Sequence, residues 1–143
     1  MLPTIEQVLE KYADTVKVVF KNFPIRRHKF SEKAAAAALA AHSQGKFWAY
    51  HDSLFSKDNF GRFSDGLFVE IAKKLGLDPQ EFTKKLKDPA ILAKIKKDAN
   101  DGLRANVRGT PTIFINGKRL RNRTFQGFQA KIDKELAALA KKE

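Results

Sequence analysis

Cysteine is absent from all 143 residues. Its absence removes disulfides, thiolate nucleophiles, cysteine-ligated zinc and every C-x-x-C redox motif from the chemistry these residues can perform. Acidic residues are scarce: 16 Asp and Glu stand against 28 Lys and Arg, for a formal charge of +12. That excess favours anionic surfaces, but it governs association and solubility rather than fold. No apolar run approaches the ~20 residues needed to span a bilayer. Met1-Leu2-Pro3-Thr4 has no basic segment ahead of an apolar stretch. The expectation is therefore a cytoplasmic chain without a signal peptide or membrane span. What remains is a 43% hydrophobic sequence, long enough to bury about 70% of its unfolded surface in one core without staples.

Several familiar site patterns are missing as well. There is no G-x-S-x-G elbow, Walker A loop or G-x-G-x-x-G. His28, His42 and His51 form no i, i+4 pair and have no second ligand type at metal spacing, so no metal or cofactor is expected. His51, on an aromatic-rich segment, reads as a packed or surface histidine rather than a ligand. Acidic residues sit at helix starts and on solvated faces, where capping explains them. No catalytic constellation emerges.

Thr4 and Gln7 form a capping-box pattern, and Ile5, Val8, Leu9 and Tyr12 follow at helical spacing, predicting a helix over 4–13. Val16, Val18, Val19 and Phe20 predict a strand, ended by Asn22-Phe23-Pro24. From 31 to 106 the pattern is helical. An alanine run fills 34–41, and an aromatic helix runs from Phe47 to Phe55. A third helix, capped by Ser64, carries Leu67, Phe68, Ile71 and Leu75 and ends at Gly76. Asp78-Pro79 and Asp88-Pro89 open two more, with the acid as cap and Pro at the first helical position. The last of these runs through Leu92, Ile95, Ala99 and Leu103. Thr112 to Ile115, Asn116-Gly117 and Lys118 to Leu120 read as a hairpin. A final helix, 124–140, places Phe125, Phe128, Ile132, Leu136 and Leu139 on one face. The expected organisation is one α/β domain over 1–143, in which an all-helical insertion at 31–106 separates parts 1–30 and 107–143.

Four stretches carry a resemblance. They are Pro3-Thr4-Ile5-Glu6-Gln7-Val8-Leu9, Val16 to Pro24, Gln44-Gly45-Lys46-Phe47-Trp48 through His51, Leu54 and Phe55, and Val107-Arg108-Gly109-Thr110-Pro111-Thr112-Ile113-Phe114-Ile115-Asn116-Gly117. Together, in this order, they resemble the DsbA-like branch of the thioredoxin superfamily, whose members are thiol–disulfide oxidoreductases. The resemblance implies a thioredoxin-like fold of the DsbA type with a helical insertion. It also implies a cis peptide before Pro111 that turns the Thr110 amide and carbonyl outward for pairing with an extended peptide. The implied peptide-binding residues are Arg108, Gly109, Thr110 and Pro111. From chain chemistry alone, Gly109-Thr110-Pro111 reads equally well as a turn leading into a strand, and X-Pro bonds are cis in only ~5–6% of folded cases.

The departure from the family is equally informative. In the family a strand and a C-x-x-C motif precede the first helix, ahead of where Met1 stands. This sequence lacks both, and thiol–disulfide exchange needs a thiolate. Three functional expectations follow. The first is a redox-inactive module that binds extended peptide or a partner protein, or that self-associates as a homo-oligomer or strand-exchanged dimer through strand edges left unpaired. The second is a fragment of a DsbA-family oxidoreductase whose C-x-x-C segment lies upstream, in which case the location is periplasmic. The third is a basic protein for nucleic acid or anionic surfaces. Its charge would come from Arg26-Arg27-His28-Lys29 and from Lys118-Arg119 with Arg121 and Arg123, beside Phe23, Phe30 and Phe125.

Overall fold

A computed structural model describes residues 1–142. Seven helices and one hairpin follow in the order α1 (Leu2–Lys11), α2 (Ser31–His42), α3 (Phe47–Leu54), α4 (Asp65–Lys74), α5 (Pro79–Leu86), α6 (Pro89–Arg104), β1 (Ile113–Ile115), β2 (Lys118–Leu120) and α7 (Phe125–Ala140). They form two compact units: residues 1–20 together with those from 107 on, and residues 21–106.

The second unit is all helical. Alanine explains its centre. Ala34, Ala36, Ala37, Ala38, Ala40 and Ala41 are all buried, so α2 is covered on most of its circumference. Side chains of one carbon let α3, α4, α5 and α6 all reach it. The larger volume comes from Tyr50, Leu54, Phe68, Ile71, Phe82 and Ile95. Tyr50 is fully buried, and its hydroxyl donates to the Phe68 carbonyl at 2.9 Å. Helix starts follow the sequence: Ser64 accepts from Leu67 N–H, Asp78 from Glu81 N–H and Asp88 from Ala90 N–H, each side chain satisfying one orphan amide. Gly76, at φ +72, ends α4 in the left-handed region, which glycine enters without strain.

The face of α6 differs from the expected one. Leu92 and Leu103 are exposed, and the buried residues are Ile91, Ile95 and Asp98 at i, i+4 and i+7. A carboxylate therefore stands where the apolar stripe would end. Its oxygens accept from the Asn22 backbone N–H at 3.1 Å, from Asn22 Nδ2 at 2.9 Å and from Lys94 Nζ at 2.5 Å. Burial alone would raise the Asp98 pKa, but the Lys94 and Asn22 hydrogen bonds outweigh it and leave the group below the usual carboxylate range.

In the first unit, α1 and α7 pack together beside the hairpin around Val8, Tyr12, Leu120, Phe128 and Ile132. Three local expectations are corrected here. Thr4 is not a cap: α1 starts at Leu2 with Pro3 in its first turn, and the Thr4 N–H bonds to the Met1 carbonyl, since proline's fixed φ suits that position. Leu139 is exposed rather than on the buried face of α7. Val16–Phe20 is not a strand. It keeps the alternation of one, with Val16 and Val18 half-buried and Lys17 and Val19 exposed. Strand propensity needs a neighbour to hydrogen-bond, however, and among the described residues none forms a ladder with this segment. The sheet is two-stranded, with Ile113 opposite Leu120, Phe114 opposite Arg119 and Ile115 opposite Lys118. Asn116 and Gly117, at φ +47 and +76, supply the two left-handed residues of the tight turn.

Candidate functional site

The hairpin brings the chain back onto the segment that precedes it. Thr112 Oγ1 donates to the Gly109 carbonyl at 2.7 Å, folding 109–112 into a tight corner, and the Thr110–Pro111 peptide is cis. Because Ile113 pairs with Leu120, the residues just beyond β2 lie beside this corner. Arg123 Nη1 donates to the Pro111 carbonyl at 2.9 Å and ties the two segments together. Between them opens a groove of about 540 Å³, lined by Gly109, Thr110, Pro111, Thr112, Arg119, Leu120, Arg121 and Arg123.

Three of the four residues expected to bind peptide, Gly109, Thr110 and Pro111, thus line one groove. Arg108 is exposed and is not among the lining residues. Arg119, Arg121 and Arg123 do line it. Sequence reasoning grouped them as a basic cluster but had no means of placing them against the Pro111 corner. The signal was the Asn116-Gly117 turn, which folds that cluster back toward 109–112.

The groove's frame is held from behind. Leu120 is buried against α7, while Arg119 and Arg121, its neighbours along the chain, are exposed. Lys118 reaches Glu135 on α7 at 2.8 Å. That hydrogen bond is the main reason the Glu135 carboxyl lies below its usual range; burial opposes it and Lys131, 3.4 Å away, adds to it. The Tyr12 hydroxyl donates to Asp133 at 2.6 Å, joining α1 to α7. Burial, then the Asp133 bond, pushes that phenol up to about 12. Thr124 caps α7 by accepting from the Gly127 N–H, and Asn122 Oδ1 in turn accepts from the Thr124 hydroxyl and N–H.

His51 is buried, with Nδ1 3.1 Å from Asp52 Oδ1 and its ring among Phe47, Trp48 and Phe55. Near it Trp48, Phe55 and Phe60 are 47%, 49% and 62% exposed. Among the described residues no three His, Asp or Glu side chains are placed to hold a metal ion, and no helix is long and apolar enough to cross a membrane.

Comparison with known proteins fits this geometry. A family model described as thioredoxin matches residues 2–134. Probable disulfide bond formation protein D of Bacillus cereus is 33% identical over 141 residues, covering 92% of this chain and 64% of that protein. Na(+)/H(+) antiporter NhaA 3 of Salinispora tropica is 34% identical over 118 residues, covering 82% of this chain and 18% of the antiporter. The chain therefore spans less than two thirds of either curated relative. Among solved structures, the thiol-disulfide exchange protein α-DsbA2 of Wolbachia pipientis superposes with a TM-score of 0.80 at 28% identity, covering 92% of this chain and 71% of that one. Fold, matched residues and neighbours agree: the chain belongs to the thioredoxin family, in its DsbA-like branch, and has no cysteine among its residues.

Proposed function

We propose that the Gly109–Pro111 corner holds an extended polypeptide, on behalf of a DsbA-like thiol–disulfide oxidoreductase whose redox cysteines lie in sequence beyond these 143 residues. The observation that carries this reading is the groove itself. A backbone corner at Gly109–Thr112 lines it on one side, and Arg119, Arg121 and Arg123 line it on the other. An extended chain can pair with outward-turned backbone groups at such a corner, with the side chains alongside supplying selection. The relative named for disulfide bond formation and the neighbour named for thiol-disulfide exchange support the chemistry. These residues contain no thiol, which is consistent with a part in binding rather than in thiol exchange.

The absence of cysteine from these residues favours a second reading: a binding module that serves without thiol exchange. Under either reading the 143-residue chain should reduce insulin no faster than buffer, and the mass of the native protein separates the two. Protein isolated from its native source, reduced and alkylated, should be heavier than the 16.2 kDa of these residues and carry two adducts. A native mass of 16.2 kDa without adducts would overturn the oxidoreductase reading and leave the binding module.

A further inference from the structure

We propose that the groove selects polypeptides bearing carboxylates at alternate positions, recognised by Arg121 and Arg123 together with Arg119. The inference rests on the peptide-binding reading above and names the class of peptide. Residues 107–124 contain Arg108, Lys118, Arg119, Arg121 and Arg123 and neither Asp nor Glu. Three guanidiniums and the residues Thr110 and Thr112 line the groove, and no acid does. The two carboxylates of α7 are committed elsewhere, Asp133 to Tyr12 and Glu135 to Lys118 and Lys131.

Spacing makes the cluster selective for an extended ligand. Leu120 turns inward, so Arg119 and Arg121 flank it on the opposite side of the strand, with Arg123 two residues on. Residues i and i+2 of an extended ligand lie roughly 7 Å apart on one face. Carboxylates at every second position of a bound peptide would therefore share one face, the one turned to the arginine-lined side of the groove. Arg123 uses one N–H on the Pro111 carbonyl, and a guanidinium has five, so a fork for a carboxylate remains. The same contact places that fork beside the Gly109–Pro111 corner where peptide backbone would pair. Phosphates would also attract these groups. Sequence-tolerant binding of single-stranded nucleic acid, however, relies on aromatic stacking platforms, and no aromatic ring lines the groove.

Fluorescence anisotropy with labelled, cysteine-free peptides tests this at ~0.1 M salt. One peptide alternates Asp with small residues, a second replaces each Asp with Asn, and labelled single-stranded DNA is the third ligand. The Asp peptide should bind about tenfold more tightly than its Asn counterpart, and Arg121→Gln should weaken the Asp peptide alone by about fivefold. Arg121→Lys should recover part of that loss, and the exposed Lys96→Gln on α6 should change nothing. Should Arg121→Gln misfold by circular dichroism, Arg119→Gln replaces it with the same expectation. Equal binding of the two peptides would overturn acid selection while leaving the peptide site standing. Binding of neither would overturn the site and the selection together. Equal losses in Arg121→Gln and Lys96→Gln would mean general electrostatics and overturn the proposal. DNA binding as tight as the Asp peptide, with the same Arg121 dependence, would also overturn it in favour of a polyanion site.

Discussion

Asp98→Ala lowers the stability of the helical unit by about 3 kcal/mol at pH 7, read as a shift in the urea midpoint followed by circular dichroism. The magnitude comes from Asn22 more than from the lysines. Lys94 and Lys21 are half-exposed, and water re-solvates them when the carboxylate is removed. Asn22 is 4% exposed, and both its backbone N–H and its Nδ2 lose their acceptor, each at the desolvation cost of an unsatisfied buried donor. The pH dependence has a definite sign. The folded-state pKa of Asp98 lies below the unfolded value, about 3.9, so its contribution is complete above that value and disappears as pH falls through the folded one. The gap between parent and Asp98→Asn should be constant from pH 7 to about 5 and close progressively below about 4. A gap unchanged down to pH 2 would mean that the carboxylate contributes through shape alone.

Gly127→Ala should cost about 1–3 kcal/mol, against the gain of up to about 1 kcal/mol that helix propensity alone would give. A Cβ at this position would stand 2.2 Å from the Asn122 carbonyl oxygen, 2.6 Å from its Cγ and 2.8 Å from its Cβ. The first of these is backbone and cannot swing aside. The 121–124 segment must shift, and with it the Asn122–Thr124 bonds that organise the start of α7. Arg121 and Arg123 ride on that segment, so the variant should also bind peptide more weakly at temperatures where it remains folded. Thermal unfolding and anisotropy on the same preparation check both. Stabilisation by the substitution would contradict the packing described here.

How much of this was legible in the sequence depends on the range of the interaction. Ser64, Asp78 and Asp88 act within four residues of themselves, and their capping roles are readable from type and spacing. Asn116-Gly117 is readable because few other residue pairs enter the left-handed region twice in succession. Asp98 was hidden: its burial depends on Asn22, 76 residues away, and on a helix phase in which an acid occupies an apolar row. Val16–Phe20 misled for the opposite reason, having the composition of a strand where, among the described residues, no ladder forms. Arg119, Arg121 and Arg123 were visible as charge, but their place in a groove exists only once the hairpin returns them to Pro111.

Extended polypeptide is proposed to bind at the Gly109–Pro111 corner, in the groove lined by Arg119, Arg121 and Arg123. The most direct test is a two-dimensional ¹⁵N–¹H NMR titration of the 143-residue chain with a cysteine-free, unstructured peptide rich in Asp. Shift changes should concentrate on the amides of Gly109, Thr110 and Thr112, together with those of Arg119, Arg121 and Arg123. Changes centred instead on Trp48, Phe55 and Phe60, the exposed aromatic surface of the helical unit, would contradict it.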